Sequence, residues 1–507
     1  MIRHEVRVHP SAERLPREQQ LAWKLAQLAS LPAIDNDTTE MVAARIIDNA
    51  AVALAAINRP PVAAARAMAL AHPRAGGASL FGLPPTRSFA VEWAAWANAT
   101  AVRELDFHDT FLAADYAHPG DSIAPLIAVA QQTGRNGAAL ARAVAVAYEV
   151  HVALVKAISL HQYKKDHVAH LCPATVVGIG RLLDLPVPVV FQAVNQAVHL
   201  SFSTRQSRKG EISSWKAFVP GFSGKLAIEA VDRAMRGEAS PSPIYEGEDS
   251  VIAWMLGGPE TVYEVELPSP QERPRAIHET YTKAYSAEYQ AQAFIDLAFD
   301  LRRQIDLVEV REIVAFTSHH THAVIGSGAN DPQKYDPDAS RETLDHSLPF
   351  ILAVALEDGA WHHERSYTPE RTHRASTVAL WRKIRTVQDP EWTRRYREID
   401  PAKRAFGGRL VVTLNDGRAI EAELAVADAH PNGRRPWRMP DCVRKFRDLT
   451  RDTVEPAEAE RCLDLAQRLP ALNATEVRLL NPVMPMGTVI SDQPPGRGIM
   501  DWPNARS

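Results

Sequence analysis

The chain has 507 residues, of which 46% are hydrophobic and 23% charged, a composition that excludes a disordered or fibrous protein. A net charge of -4 supplies no general positive field, so binding to nucleic acid or to a membrane surface is disfavoured and small-molecule chemistry is favoured. The three cysteines, Cys172, Cys442 and Cys462, are too widely spaced for a zinc or iron–sulfur motif. The first residues show no apolar signal segment, so we expect a cytoplasmic protein with reduced thiols.

Helical spacing of Ala, Leu and Val dominates the first half of the chain, where strand-like stretches are nearly absent. Capping residues support several helix ends, for example Asp121-Ser122 before one helix and Gly134 after it. The predicted helices in this half are 39–57, 87–105, 122–132, 137–160, 173–183, 188–201 and 221–235.

The pattern changes beyond two proline-containing loops at 238–250 and 267–274. Residues 307–318 are rich in β-branched side chains and predict a strand. Residues 409–426 predict a hairpin that turns at Asn415-Asp416-Gly417. Further helices are predicted at 287–303, 341–357, 440–449 and 455–469.

These elements predict a mainly α protein of two domains, since the chain is longer than one hydrophobic core usually organises. We expect a large helical domain formed by residues 1–275 and 434–507. An α+β domain of residues 276–433 is expected to be inserted into it as a lid. The last stretch, from Gly487 to Ser507, is predicted to be an irregular tail.

Ionisable residues are concentrated in the loop that follows the second predicted helix. Asp106, His108, Asp109 and Thr110 are followed by a second run from Asp115 to Asp121 that contains His118. A solvated loop is the ordinary explanation of such a segment, but the density of His and Asp favours catalytic side chains presented by a rigid scaffold.

Two further loops carry groups of the same kind. His167 and His170 precede an Ala/Val-rich helix, and a single imidazole there suits acid or base catalysis better than the pair suits a metal. Arg205 and Arg208 precede Lys216 and a helix start, a combination suited to binding carboxylates. The His319-His320-Thr321-His322 tract resembles a metal-binding run only by composition, so we expect a surface or turn role.

Four stretches, taken in their order along the chain, resemble the 2-methylcitrate dehydratase family, also called MmgE/PrpD. The resemblance covers residues 20 to 470, and cis-aconitate decarboxylase is a more distant branch of the same family. The stretches are Asp166–Leu171, Tyr285–Gln292, Arg341–Ser347 and Asp389–Trp392.

The resemblance implies a helical domain capped by an α+β lid, a homodimer, and dehydration of a small tricarboxylate without an iron–sulfur cluster. We expect neither a metal nor another cofactor. The implied catalytic residues are Asp106, His118, Lys216 and a second histidine, for which His170 and His167 are preferred to Cys172. The resemblance also implies Thr110, and we expect Thr110, Arg205, Arg208, Lys283 and Tyr285 to bind the substrate. Phe350 stands where the family often has tyrosine, which disfavours the decarboxylase activity.

Our hypothesis assigns the proton transfers to His118 and the His167/His170 pair, with Asp106 orienting an imidazole or serving as a second acid or base. Lys216 and the two arginines would hold carboxylates and stabilise charge. The alternatives are cis-aconitate decarboxylase activity, a metal-dependent hydrolase that uses His108-Asp109 and His319-His320, and a non-catalytic helical scaffold.

Overall fold

The computed structural model describes residues 1–209, 212–398, 400–489 and 498–499. The helices are α1 (Leu21–Gln27), α2 (Asn36–Ala55), α3 (Pro60–Leu70), α4 (Val91–Glu104), α5 (Ile123–Thr133), α6 (Gly137–Ala157), α7 (Val168–Leu183), α8 (Val187–Ser201), α9 (Trp215–Met235), α10 (Val251–Met255), α11 (Tyr289–Leu301), α12 (His319–Val324), α13 (Arg341–Leu344), α14 (Leu348–Asp358), α15 (Pro369–Thr372), α16 (Ala375–Trp381), α17 (Pro390–Tyr396), α18 (Met439–Thr450), α19 (Pro456–Gln467) and α20 (Ala474–Val477). The strands are β1 (Ile2–Arg7), β2 (Pro73–Ala78), β3 (Phe111–Leu112), β4 (Tyr116–Ala117), β5 (Val262–Leu267), β6 (Val310–Thr317), β7 (Ile384–Gln388), β8 (Gly408–Leu414) and β9 (Ala419–Leu424). The prediction of a mainly α protein is confirmed. Most of the predicted tail lies outside the described residues.

Local capping explains several helix starts in the first half. The side chain of Asp35 accepts a hydrogen bond from the Thr38 amide at the start of α2, and Asn136 does the same for Ala139 at the start of α6. Gly134, with φ of 66°, ends α5 in the left-handed conformation that glycine adopts at low cost. These caps place α5 and α6 as consecutive packed helices.

The helices of the first half and of the C-terminal part share one hydrophobic core. Val42 on α2, Leu140 on α6, Phe446 on α18 and Leu463 on α19 all belong to the same cluster of buried residues. Residues from the two ends of the chain therefore pack together around the loops that carry the candidate site.

A second hydrophobic core lies under a four-stranded sheet in the order β7-β6-β8-β9, in which β6 pairs parallel with β7 and antiparallel with β8. Ile313 and Val412 point into this core, where α11 and α14 cover one face of the sheet. The predicted strand and hairpin are both found here, and the hairpin turns at Gly417, with φ of 90°. That this unit is an inserted lid stays a prediction.

Three local predictions differ from the structure. An antiparallel ribbon of β1 and β5 was not predicted, because charged residues alternate along both strands and one face is exposed. The helices α7 and α9 begin before Pro173 and Pro220, which they contain, whereas the sequence pattern placed their starts at or after these prolines. The predicted helix 341–357 is two helices, α13 and α14.

The helix α6 is long and apolar enough to cross a bilayer by length and composition, with a mean hydropathy of 1.6. The same stretch is 89% buried inside the protein. Its apolar residues contact neighbouring helices, as those of a core helix do, and it passes close to the candidate site through Tyr148.

Candidate active site

The centre of the site is Asp106, which follows α4 and is 1% exposed. Its φ of 47° is in the left-handed region, which costs a residue with a Cβ roughly 1 kcal/mol or more. This conformation reverses the chain directly after Leu105, the C-cap of α4, and leaves the carboxylate inside the protein. Backbone strain of this kind at a buried charged residue points to function rather than to folding.

Three buried cations surround the Asp106 carboxylate. Arg103 Nη1 lies 2.5 Å and Lys283 Nζ 2.6 Å from its Oδ1, and Lys216 Nζ lies 3.4 Å from its Oδ2. Burial alone would raise the pKa of Asp106, but Arg103 and Lys283 outweigh it and hold that pKa well below its ordinary value. Asp106 is therefore ionised at neutral pH, and it orients cations rather than donating protons.

A second carboxylate, Asp345, shares one of these cations. Lys216 Nζ lies 3.1 Å from Asp345 Oδ1, and Arg341 Nη1 lies 3.2 Å from its Oδ2. His346 contacts Asp345 through Nδ1, and the same nitrogen is 3.3 Å from Lys216 Nζ. Two carboxylates thus contact four cationic side chains, an excess of positive charge that suits a substrate with several carboxylates.

His118 faces this centre with one ring nitrogen. Its Nδ1 lies 2.9 Å from the backbone carbonyl of Asp109, which can only accept, so Nδ1 carries the proton and Nε2 has the free lone pair. Nε2 lies 3.9 Å from Asp106 Oδ1. Burial and the charge of Arg103 lower the pKa of His118 well below 6.5, so the ring is a neutral base.

Asp109 fixes the loop that carries His118. Its carboxylate accepts hydrogen bonds from the Tyr148 hydroxyl at 2.7 Å and from the Gly120 amide at 2.9 Å. A Cβ at Gly120 would come within 2.5 Å of Asp109 Oδ1, so this close approach requires glycine. The loop that carries His118 is thereby fixed on the face of α6.

His167 is a second imidazole next to His118, with ring centroids 5.5 Å apart. Its Nδ1 lies 3.2 Å from Asp166 Oδ1. Asp166 in turn contacts Arg208 Nε at 3.3 Å and accepts a hydrogen bond from the Ser207 hydroxyl at 2.6 Å. Arg208 therefore lies behind Asp166 and positions His167 through it.

His170 points elsewhere, although it is only three residues from His167. Its Nε2 lies 3.0 Å from the Ile158 carbonyl, and burial lowers its pKa to about 4. Cys172 is buried with its thiol toward the Ser223 carbonyl, and burial raises its pKa to about 12. Within the described part of the chain, neither side chain is among the groups that contact Asp106.

Three of the five predicted substrate-binding residues, Lys283, Thr110 and Tyr285, have different surroundings. Lys283 is in the centre itself. Thr110 is buried, donates its hydroxyl to the Ala117 carbonyl at 2.9 Å, and pairs through its backbone with Tyr281, two residues before Lys283. The hydroxyl of Tyr285 donates to Asp296 at 2.7 Å, so it is engaged outside the Asp106 centre.

Phe350, which stands where the family often has tyrosine, is fully buried in the second core. Its ring lies 5.0 Å from that of Trp381 and 5.9 Å from that of Tyr367. In this structure the side chain at position 350 packs the core, so the missing phenol has no direct bearing on the Asp106 centre.

Lys445 on α18 does not contact the Asp106 carboxylate but binds the backbone on both sides of the centre. Its buried ammonium lies 2.7 Å from Asp48 Oδ1 and donates to the backbone carbonyls of Phe107 at 2.6 Å and Lys283 at 3.1 Å. One cation thus ties together the backbone next to Asp106 and the backbone of Lys283.

Sequence reasoning did not single out several residues of this centre. Asp345 and His346 lie in the Arg341–Ser347 stretch but within a predicted continuous helix. Arg103 and Lys445 lie within the predicted helices 87–105 and 440–449 and were not singled out. Glu288 also went unnoticed: it caps α11 beside Lys283, and burial raises its pKa to about 7. Helix-breaking Pro349 was the available signal for the turn that presents His346.

One group among the described residues has the spacing of a metal site: Asp106, Asp345 and His346 each offer a ligand atom within 4.8 Å of the others. The same two carboxylates already contact Lys216, Lys283 and Arg103. A divalent cation there would be repelled by these charges at close range. The donor set therefore fits neutralisation by side chains better than neutralisation by a metal.

Fold and site together define a mainly helical protein with a buried, cation-rich centre next to a neutral imidazole. Residues 19–264 match the MmgE/PrpD N-terminal domain, and residues 285–470 match the MmgE/PrpD C-terminal domain. The chain belongs to the MmgE/PrpD family.

Several dehydratases are similar in sequence to most of this chain. A 2-methylcitrate dehydratase of Cupriavidus necator is 28% identical over 394 residues, which cover 73% of this chain and 77% of that protein. The 2-methylcitrate dehydratase of Salmonella typhimurium is 24% identical over 397 residues, 74% of this chain and 78% of that protein. An alkylcitrate dehydratase, phiI, of a fungal species is 22% identical over 346 residues, 64% of this chain and 66% of that protein.

Proposed function

We propose that this protein is a hydro-lyase that removes water from 2-methylcitrate, or from a close alkyl relative or citrate itself, without a metal. The observation that carries the proposal is the position of His118, a neutral base that faces a carboxylate held by three buried cations. The names of the relatives support the same class of reaction.

The first step of the reaction is removal of a proton from the carbon beside a carboxylate. His118 Nε2 takes this proton, because its lone pair is free while Nδ1 is held by the Asp109 carbonyl. The negative charge that develops on the substrate carboxylate is stabilised by Lys283 and Arg103, which are already oriented by Asp106. Asp106 thus serves catalysis by positioning cations.

The second step is departure of the hydroxyl group as water. The ammonium of Lys216 donates the proton, since it lies between the two carboxylates and reaches the same space as His118. The C–O bond breaks, the electrons left by the abstracted proton form the C=C bond, and water leaves. His346, 3.3 Å from Lys216 Nζ and 15% exposed, then returns a proton to the lysine from solvent. His118 releases to solvent the proton that it took from the substrate, so both residues return to their starting states.

The proposal is tested by incubating the purified protein with 2-methylcitrate, citrate and cis-aconitate in separate reactions. We expect a conjugated alkene to form from 2-methylcitrate, detected by its ultraviolet absorbance, with no CO2 released. Release of CO2 from cis-aconitate would instead make the protein a decarboxylase. Absence of any change with all three acids would refute the proposed activity.

We also propose a homodimer. Trp215 and Phe222 on α9 are 53% and 50% exposed and are joined through the rings of Phe218 and Trp96. A contiguous group of exposed apolar side chains is typical of a protein interface. Light scattering coupled to size exclusion should give twice the chain mass of 55.9 kDa. A monomer mass at micromolar concentration would contradict this expectation.

A further inference from the structure

Three aromatic rings meet between the helical unit and the β-sheet unit. They lie beyond His167 as seen from His118 and the Asp106 centre. Tyr116 and His161 come from the first unit and His320 from α12 of the second. Their centroids are 5.9 Å apart for Tyr116 and His161, 6.4 Å for Tyr116 and His320, and 5.1 Å for the two histidines. His320 is also stacked on Tyr396 at 5.2 Å. The proposed reaction assigns no role to this group of rings.

Arg205 completes the group. Its Nε donates to the Tyr116 hydroxyl at 3.1 Å, and its backbone amide is held by the Lys164 carbonyl. The two terminal nitrogens of the guanidinium have no hydrogen bond to a described residue. A partly buried guanidinium with its fork unoccupied is an arrangement suited to binding a carboxylate in bidentate fashion.

The two histidines are unpartnered as well. His161 Nδ1 is buried without a hydrogen bond, and no hydrogen bond to the ring of His320 exists among the described residues. Burial and the charge of Arg205 lower the pKa of both rings to about 3, so each ring is neutral and offers one N–H. Unsatisfied donors at a half-buried interface are costly unless an acceptor joins them.

The neighbouring carboxylate cannot serve as that acceptor. Asp115 interacts electrostatically with Arg205, but its oxygens are taken by the backbone amides of Tyr116 at 2.8 Å, His161 at 3.1 Å and Leu160. Asp115 therefore fixes the loop that carries His161 and leaves the guanidinium fork unoccupied.

The group is connected to the Asp106 centre by successive ring contacts. Tyr116 lies 5.5 Å from His167, and His167 lies 5.5 Å from His118. Cationic and N–H donors thus continue from the centre to the boundary between the two units.

We propose that Arg205, His161 and His320 form an outer anion subsite that binds a carboxylate group of the substrate. Tyr116 positions the Arg205 guanidinium in this subsite through its hydroxyl. The identity of the ligand as a polycarboxylate rests on the proposed function. Since His320 belongs to the second unit and the other two residues to the first, a carboxylate bound here also holds the two units together.

The test is calorimetric titration of the full-length protein with tricarballylate, which has three carboxylates and no hydroxyl to eliminate. Arg205→Gln and His320→Asn are compared with wild type. The matched control is His319→Asn, because His319 is the adjacent residue, is exposed and bonds to Gln388 instead. Unliganded melting curves of all variants confirm that each is folded, and His161→Asn replaces any variant that is not.

We expect Kd to rise about tenfold or more for Arg205→Gln and by about threefold to tenfold for His320→Asn, as for loss of a charged and a neutral hydrogen bond, with no change for His319→Asn. Tricarballylate should also raise the melting temperature of wild type more than that of His320→Asn. Equal affinities of wild type and the two variants, or absence of binding to wild type, would overturn the subsite.

Failure of the proposed function can be told apart from failure of the subsite. If wild type dehydrates none of the tested acids but binds tricarballylate through Arg205 and His320, the subsite stands and the assigned reaction is wrong. If wild type dehydrates 2-methylcitrate and the variants bind tricarballylate normally, the reaction stands and the subsite is wrong.

Discussion

Lys283 Nζ lies 2.6 Å from the Oδ1 and 2.9 Å from the backbone carbonyl of Asp106, a residue 177 positions earlier in the chain. This double contact joins the loop after α4 to the segment that leads into the second unit. It also explains how a strained, buried aspartate stays ionised, because the ammonium satisfies both its side chain and its main chain.

The first prediction concerns this pair. Asp106→Asn and Lys283→Met should each destabilise the fold by roughly 3–5 kcal/mol, because each leaves the other charge buried with one partner fewer. The double variant should lose less than the sum of the two, as measured by denaturant unfolding. The exposed pair of Arg447 and Glu460, 2.8 Å apart, is the control and should show no measurable coupling. Additive losses at Asp106 and Lys283 would refute the coupling.

The second prediction separates two histidines that the sequence could not distinguish. His118→Gln should lower kcat by about a hundredfold, the usual effect of losing a positioned general base. His170→Gln should leave kcat within a few-fold of wild type, because His170 bonds to the Ile158 carbonyl. Steady-state kinetics of the two folded variants checks this, and the reverse ranking would exchange their roles.

The third prediction concerns pH. The folded pKa of His170 is about 4, below the 6.5 of a free imidazole, so the unfolded chain binds more protons between these values. The stability that depends on neutral His170 is complete above pH 6.5 and is lost as the pH falls toward 4. Between pH 7.5 and pH 5 this loss amounts to about 2 kcal/mol.

Replacement of His170 by Gln should therefore flatten the fall in unfolding free energy over that pH range. Denaturant unfolding at pH 7.5 and pH 5 measures the effect, with the exposed His199→Gln as the matched control. If His170→Gln shows the same pH dependence as wild type, the ring is not held neutral in the folded protein.

The fourth prediction concerns Lys445 as a positioning residue. Lys445→Met removes the link between the Phe107 and Lys283 carbonyls, so Asp106 and Lys283 lose their relative orientation. We expect kcat to fall about tenfold with KM nearly unchanged, since misplacement chiefly affects the chemical step. Arg444→Met, on the exposed side of the same helix, is the control. An unchanged kcat in folded Lys445→Met would remove it from this role.

The sequence predicted the helical class and placed Asp106, His118, Lys216 and Lys283 in the site, and the structure brings these four together. Asp106 and His118 lie between two helices with clear apolar periodicity, α4 and α5, so local pattern and position were informative there. His167 and His170 could not be told apart, because their different directions depend on how the start of α7 packs. The partnership of Lys445 with Asp48 spans 397 residues, a distance over which no local pattern acts.

Asp345 and His346 illustrate a different limit. The sequence predicts one helix over residues 341–357, yet the helix stops at Leu344 and another begins at Leu348. The ion pair of Asp345 with Lys216 stabilises the break, and these two residues lie 129 positions apart in the chain, so the pair depends on tertiary structure. The helical propensity of this segment is therefore outweighed by tertiary contacts at the turn of residues 345–347, which carries Asp345 and His346.

The most direct test of the account measures alkene formation from 2-methylcitrate in buffer treated with a chelator, for wild type, Lys216→Met and Lys225→Met. Lys225 lies on the same helix and pairs with Glu229 at the surface of α9, so it controls for loss of a lysine. We expect full activity of wild type and Lys225→Met without metal, and a loss of a hundredfold or more in Lys216→Met. Loss of wild-type activity on chelation that added metal restores, or normal turnover by Lys216→Met, would contradict catalysis by these side chains.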